Sequence, residues 1–104
     1  MQHRTRIKIC GLTNLADVNT VVASGADALG FVFYPPSPRY VEPDVAATLL
    51  QALPPFVVSV GLFVNVTEQD LQATVKKVPL QLLQFHGDET PQQCAALAAS
   101  VQRP

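Results

Sequence analysis

The sequence has few charged residues and few cysteines, and each shortage excludes a class of protein. Charged residues make up 14% of the 104 residues, and the formal net charge is -1. This balance offers no basic surface for phosphate backbones, so we expect no nucleic acid partner. Two cysteines, Cys10 and Cys94, are too few for the disulfide framework of a small secreted domain. We interpret both as free thiols.

Long hydrophobic runs and secretory signals are also missing. The most apolar segment, residues 56–66, is interrupted by Ser59, Gly61 and Asn65, whereas a membrane-spanning helix needs about 20 apolar residues. We therefore expect a cytoplasmic protein with no membrane partner. The sequence has no metal-ligand spacing, glycine-rich phosphate loop or Ser-His-Asp arrangement, so we expect neither a metal nor a cofactor.

Hydrophobic residues make up 48% of the sequence, enough for the core of one globular domain over residues 1–104. A short apolar run followed by a helical pattern occurs four times, which is typical of βα units around a parallel sheet. The predicted strands are Arg6 to Cys10, Ala28 to Phe33, Phe56 to Phe63 and Leu80 to Phe85. The predicted helices are Asn14 to Ser24, one from Pro43 to the Pro54-Pro55 stop, one capped by Thr67, and one opened by a capping box from Thr90 to Gln93.

Each predicted helix has an apolar stripe that should face the sheet. The stripes are Leu15, Val18 and Val22; Val45, Leu49 and Leu53; Leu71, Val75 and Val78; and Cys94, Leu97, Ala98 and Val101. Val58, Val60, Leu62, Leu80 and Leu82 are expected on the opposite, inner face of the sheet.

Four βα units suit either a small open sheet or half of a (β/α)₈ barrel, which has eight units in about 250 residues. Periodicity alone does not choose between these two architectures. Both place their chemistry at the carboxyl ends of the strands, so the residues at those ends indicate the function.

The first predicted strand brings a thiol and a cation to one face. Side chains alternate along a strand, so Ile7 and Ile9 share one face while Lys8 and Cys10 share the other. If the apolar pair faces the helices, Lys8 and Cys10 face inward, and Cys10 ends the strand before Gly11. A cation near the thiol favours the thiolate, which can take a proton from carbon. The alternatives are a small core residue for Cys10 and a solvated charge for Lys8.

Arg39 follows the second predicted strand in a loop that is stiffened by Pro35, Pro36 and Pro38. A stiff loop lowers the entropic cost of holding an arginine in place. The planar guanidinium pairs with a carboxylate through two hydrogen bonds, or stacks on an aromatic ring. A surface arginine in an ordinary turn is the alternative.

The fourth predicted strand places Gln84 and His86 on the inner face, opposite Leu83 and Phe85. His86 ends the strand, where its imidazole can donate a hydrogen bond to an oxygen of a substrate. The alternative is a structural histidine that satisfies a loop carbonyl.

Five segments together resemble the phosphoribosylanthranilate isomerase family, and the resemblance covers about residues 6–104. In the family's order and spacing they are KICGLT at 8–13, GFVFY at 30–34, SPRYV at 37–41, VGLFVN at 60–65 and QFHGDE at 84–89. The resemblance implies a (β/α)₈ barrel, of which this chain is the amino-terminal half.

The resemblance also implies an activity, that of an aldose-ketose isomerase of tryptophan biosynthesis. Such enzymes convert N-(5-phosphoribosyl)anthranilate to 1-(o-carboxyphenylamino)-1-deoxyribulose 5-phosphate by an Amadori rearrangement, without metal or cofactor. Cys10 matches the general base that removes the proton from C2 of the ribose. Arg39 matches an arginine that holds the anthranilate, and His86 matches a histidine that lines the pocket. Lys8 and Gln84 are expected to contact the same substrate.

Two parts of the family's site have no counterpart in these 104 residues. They are the aspartate of the fifth strand, which is the family's general acid and protonates the ring oxygen of the ribose, and the phosphate-binding loops after strands seven and eight. We therefore expect this chain alone to be inactive, and to pair with a carboxyl-terminal half-barrel or with itself. The main rival interpretation is a non-catalytic half-barrel that serves as a binding or assembly module. A thiol redox protein is a weaker rival, because no second cysteine lies near Cys10.

Overall fold

The computed structural model describes residues 5–104, so residues 1–4 of the predicted domain lie outside the described residues. The elements are β1 (Lys8–Cys10), α1 (Leu15–Ala23), β2 (Ala28–Val32), α2 (Pro43–Leu50), β3 (Val58–Phe63), α3 (Glu68–Lys77), β4 (Leu82–Phe85) and α4 (Pro91–Val101). The strands form one parallel sheet in the order β1-β2-β3-β4. This singly wound order confirms the predicted half of a (β/α)₈ barrel, because a doubly wound sheet reverses its strand order.

Side chains cap the starts of α1, α3 and α4, and two of these caps, Thr67 and Thr90, are the predicted ones. The side chain of Asn14 accepts a hydrogen bond from the Asp17 amide at 2.9 Å, and that of Thr67 accepts from the Asp70 amide at 3.1 Å. Thr90 forms the predicted capping box with Gln93, whose side chain accepts from the Thr90 amide in return. These bonds satisfy amides that have no partner within the first helical turn.

Alternation along the strands separates a helix-facing core from a concave inner face. Leu29, Phe31 and Phe63 are buried in one cluster with residues of the helices, and the rings of Phe33 and Phe63 stack at 5.4 Å. The strand register aligns Cys10 with Gly30, and Gly30 with Val60, on the other face. The concave face consists of Lys8, Cys10, Ala28, Gly30, Val32, Val58, Val60, Leu62, Leu82 and Gln84.

Two apolar residues of the predicted helix stripes are exposed, and so is Phe56, the predicted first residue of the third strand. Leu15 is 50% exposed and Val45 is 44% exposed, because the buried face is formed by Val18 in α1 and by Ala46, Leu49 and Leu50 in α2. Phe56 is 96% exposed. The register begins only at Val58, which pairs with Ala28, so the predicted start of β3 at Phe56 is wrong.

The prediction for Leu80 is also wrong, because its side chain lies in the helix-facing core and is 1% exposed. A tight turn precedes β4, in which the Leu80 amide donates to the Val78 carbonyl at 2.7 Å. Leu80 ends this turn, outside the paired residues of β4, and its side chain lies over Gly61 rather than on the face of Leu82. The strand therefore begins at Leu82 rather than at Leu80.

Exposed apolar side chains collect at the two edges of the sheet. Ile7 and Ile9 at the β1 edge are 48% and 37% exposed, and Leu82 at the β4 edge is 38% exposed. Val60, in the middle of the concave face, is 5% exposed because neighbouring strands cover it. The α4 stripe of Cys94, Leu97, Ala98 and Val101 is half-buried.

Candidate active site

A cleft of about 510 Å³ lies on the concave face at the carboxyl ends of the strands. It is lined by Lys8, Cys10, Val32, Tyr34, Ser37, Arg39, Leu62, Val64, Gln84 and His86. All five predicted site residues are in this set, although they come from β1, the β2–α2 loop and β4. Parallel strands bring them together because all carboxyl ends meet at the same edge of the sheet.

Cys10 ends β1 and is half-buried beside Gly30, its partner in the strand register. A Cβ atom at position 30 would lie 2.9 Å from the Cys10 sulfur, a distance at which the two would overlap. Glycine at this position therefore leaves the space that the thiol occupies on the inner face.

Arg39 packs across the loop that follows Cys10. Gly11 has a φ of +89°, and a Cβ atom there would lie 2.5 Å from Cδ of Arg39. This turn therefore requires glycine, both for its left-handed backbone and for the close approach of the Arg39 side chain. The Arg39 amide donates to Oγ of Ser37 at 3.1 Å, which fixes the loop. Within residues 5–104 the exposed guanidinium has no carboxylate partner. It is therefore available to an anionic ligand.

Lys8 and Gln84 connect the two edge strands across the concave face. The ammonium of Lys8 donates a hydrogen bond to Oε1 of Gln84, which is 76 positions later in the chain. Two cations, Lys8 and Arg39, line the cleft, and no aspartate or glutamate does. The cleft therefore favours a ligand with negative charge.

His86 follows the last residue of β4 and is exposed in the cleft. Its amide donates to the Phe63 carbonyl at 2.9 Å, which extends the β3–β4 pairing by one bond.

Neither Cys10 nor Cys94 is in a disulfide, as predicted. No group of three or more His, Cys, Asp or Glu side chains among the described residues is placed to hold a metal ion.

Sequence reasoning did not assign Tyr34, Ser37 or Val64 to the site, although all three line the cleft. Tyr34 and Ser37 are in the same proline-rich loop as Arg39, which was the available signal. Val64 follows β3 at the sheet edge that holds the other site residues. Its apolar side chain carries no chemical signal of its own.

Comparison with known sequences places this chain in a family. A sequence profile described as "PRAI: N-(5'phosphoribosyl)anthranilate (PRA) isomerase" matches residues 7–103. The chain belongs to this isomerase family. It is 61% identical over 104 residues to the N-(5'-phosphoribosyl)anthranilate isomerase of Herminiimonas arsenicoxydans, a match that covers 100% of the chain and 46% of that relative. The isomerase of Ralstonia nicotianae is 59% identical over 102 residues, covering 98% of the chain and 44% of that relative.

Solved isomerase structures share the fold. A phosphoribosyl anthranilate isomerase in complex with reduced 1-(o-carboxyphenylamino)-1-deoxyribulose 5-phosphate matches with a TM-score of 0.88 and 45% identity, covering 94% of this chain and 50% of that one. The Thermotoga maritima isomerase matches with a TM-score of 0.87 and 46% identity, over 92% of this chain and 47% of that one. The chain thus spans about half the length of the isomerases it matches. Among the described residues, no helix is long and apolar enough to cross a membrane.

Proposed function

We propose that this chain supplies the general base and the anthranilate anchor of a phosphoribosylanthranilate isomerase. The observation that carries the proposal is the position of Cys10 and Arg39 in one cleft, with the arginine packed on the loop that follows the thiol. The Amadori rearrangement needs a base at C2 of the opened sugar and a fixed benzoate. A thiolate and a guanidinium are suited to these two tasks.

Cys10 acts as the base in this proposal. After the ribose ring opens to a protonated imine at C1, the thiolate of Cys10 takes the C2 proton. The electron pair of the C2–H bond forms a C1–C2 double bond, and the imine electrons move to nitrogen. The resulting enol then tautomerises, with C1 gaining a proton and the C2 hydroxyl losing one, to give the ketone product.

The remaining site residues hold the substrate. Arg39 pairs with the benzoate carboxylate through two hydrogen bonds, and Lys8 adds a second positive charge on the inner face. Gln84, which accepts from Lys8, and His86 contact sugar hydroxyl groups. The substrate is an anion, and the absence of carboxylates from the lining of the cleft supports this assignment.

A second half-barrel completes the site in this proposal and supplies the acid and the phosphate grip. The half-length coverage of the matched isomerases supports such a partner, as do the apolar side chains at both sheet edges. We propose a cytoplasmic location, since both thiols are free and reduced cysteines are typical of that compartment.

Complementation tests this function directly. In a tryptophan auxotroph that lacks the isomerase, we expect growth when this chain is co-expressed with the part of the Herminiimonas arsenicoxydans isomerase that the match does not cover. Either piece alone should give no growth. If the two pieces co-purify and growth still fails, the chain is a binding or assembly module rather than half of an enzyme.

Replacing Arg39 by alanine should raise the KM of the assembled enzyme about 10- to 100-fold, because a hydrogen bond to a charged group contributes about 1.5 to 3 kcal/mol. The free energy of unfolding should change by no more than about 0.5 kcal/mol, as for other exposed side chains. Steady-state kinetics and thermal unfolding measure the two effects.

Arg103→Ala is the matched control for that substitution. The Arg103 guanidinium donates to the Leu80 carbonyl at 2.8 Å and to the Val101 carbonyl at 3.1 Å, away from the cleft. Its loss should lower stability by about 1 kcal/mol and leave KM unchanged. An Arg39→Ala variant that is destabilised but has normal kinetics would give Arg39 a structural role instead.

A further inference from the structure

The loops that follow β3 and β4 are joined by one carboxylate. Oε2 of Glu89 accepts a hydrogen bond from the Asn65 amide at 2.8 Å, and Oε1 accepts from the Gly87 amide at 2.8 Å. In return, Oδ1 of Asn65 accepts from the Asp88 amide at 2.9 Å. We name these four residues, Asn65, Gly87, Asp88 and Glu89, the loop clasp.

The loop clasp holds the backbone directly beside His86. On one side of His86, its own amide bonds to the Phe63 carbonyl at 2.9 Å. On the other side, the next amide, that of Gly87, bonds to Glu89. The backbone of His86 is therefore fixed from both directions, while its side chain lies in the cleft.

Helix capping does not explain the position of the Glu89 carboxylate. The N-cap of α4 is Thr90, whose hydroxyl accepts from the Gln93 amide while the Gln93 side chain accepts from the Thr90 amide. Both oxygens of Glu89 instead bond to loop amides, and one of these belongs to the β3–α3 loop, 24 positions earlier. The carboxylate thus connects two loops of the site rather than serving its own helix.

We propose that Glu89 is a positioning residue, which sets the place of His86 in the cleft through the loop clasp. The inference rests on the proposed isomerase function. A carboxylate suits this role because it presents two acceptors to two N–H donors, and charged acceptors make the stronger hydrogen bonds. Glutamine would turn an NH₂ group toward one of the two amides and lose that bond.

A double-mutant cycle in the assembled enzyme tests the coupling. Glu89→Gln should lower kcat/KM about tenfold, since small displacements of a site group have large kinetic effects. In a His86→Ala background the same change should have no further effect, because its target is gone. An equal loss in both backgrounds would show that Glu89 does not act through His86.

Glu68→Gln is the matched control. Glu68 begins α3, is exposed, and accepts a hydrogen bond from the Gln72 side chain at 3.3 Å rather than from a loop amide. The Glu68→Gln substitution removes the same negative charge as Glu89→Gln and should leave kcat/KM unchanged. Asn65→Gly provides a second variant, because glycine suits the left-handed φ of 48° at this position but removes the acceptor for Asp88. It should lower kcat/KM in the same direction as Glu89→Gln.

Nuclear magnetic resonance separates a failure of this inference from a failure of the proposed function. In the assembled protein, Glu89→Gln should shift the imidazole resonances of His86 and speed hydrogen exchange at the Asn65 and Gly87 amides. Glu68→Gln should do neither. If no isomerase activity exists but these shifts occur, the proposed function fails and the positioning role stands. Unchanged His86 resonances would overturn the positioning role whatever the activity.

Discussion

Cys10→Ala is expected to lower kcat of the assembled isomerase by about 10²- to 10⁴-fold, the range that a positioned general base contributes. The thiol ends β1 on the concave face, and Gly30 leaves room for its sulfur. No aspartate or glutamate lines the same cleft within the described residues. The cleft therefore offers no carboxylate that could take over the proton transfer proposed for Cys10.

Cys94→Ala controls for the loss of a thiol elsewhere. Cys94 lies in the half-buried stripe of α4 and does not line the cleft. We therefore expect kcat of the Cys94→Ala variant to stay within about twofold of that of the unsubstituted enzyme. Its free energy of unfolding should fall by about 0.5 to 3 kcal/mol at most. Steady-state kinetics at saturating substrate measures both variants. A Cys10→Ala variant with nearly normal kcat would assign the proton transfer to another group.

The isolated 104-residue chain is expected to show no isomerase turnover and to associate with itself as its concentration rises. An open parallel sheet has two edges, and unpaired backbone groups at such edges recruit other strands. At the β4 edge the Leu83 amide already donates to the Pro104 carbonyl at 2.8 Å, so the β1 edge is the more open of the two. Ile7 and Ile9 expose apolar surface at one edge, and Leu82 exposes it at the other. Self-association covers these edges but adds no new kind of residue to the cleft.

Sedimentation velocity over a range of concentrations, with a fluorescence assay of the isomerase reaction on the same samples, measures both properties. We expect a mean sedimentation coefficient that increases with concentration and a rate equal to that of the buffer. Addition of the complementary half should then produce activity. A monodisperse monomer that turns over substrate would contradict the need for a second half.

The parts of the site that follow from strand alternation could be predicted from the sequence. The polar positions of the first predicted strand alternate with apolar ones, and this pattern correctly placed Lys8 and Cys10 on the face that forms the cleft. Leu80 fails the same rule because it is the last residue of a tight turn and lies outside the paired strand, where the alternation does not apply. Periodicity is thus informative only where the residues are paired in the sheet.

Contacts between distant segments could not be predicted in this way. The bond from Lys8 to Gln84 joins positions 76 apart, and no local pattern specifies it. The packing of Arg39 on Gly11 depends on where the proline-rich loop crosses the sheet edge. Glu89 was visible only as part of a family motif, because the two amides that it binds come together only in the folded sheet.

The strand order also has a consequence for how the chain acquires its fold. Because β1, β2, β3 and β4 are neighbours in the sheet in the order of synthesis, each new strand finds its partner in the unit made just before it. Lys8 pairs with Ala28 and Ala28 with Val58, so each pairing closes one βα unit. Parallel pairings of this kind form more slowly than local helical contacts, but none of them needs a segment from the far end of the chain. During translation at about 5 to 20 residues per second, each unit can dock on its predecessor within seconds of leaving the ribosome, without waiting for a distant segment to emerge.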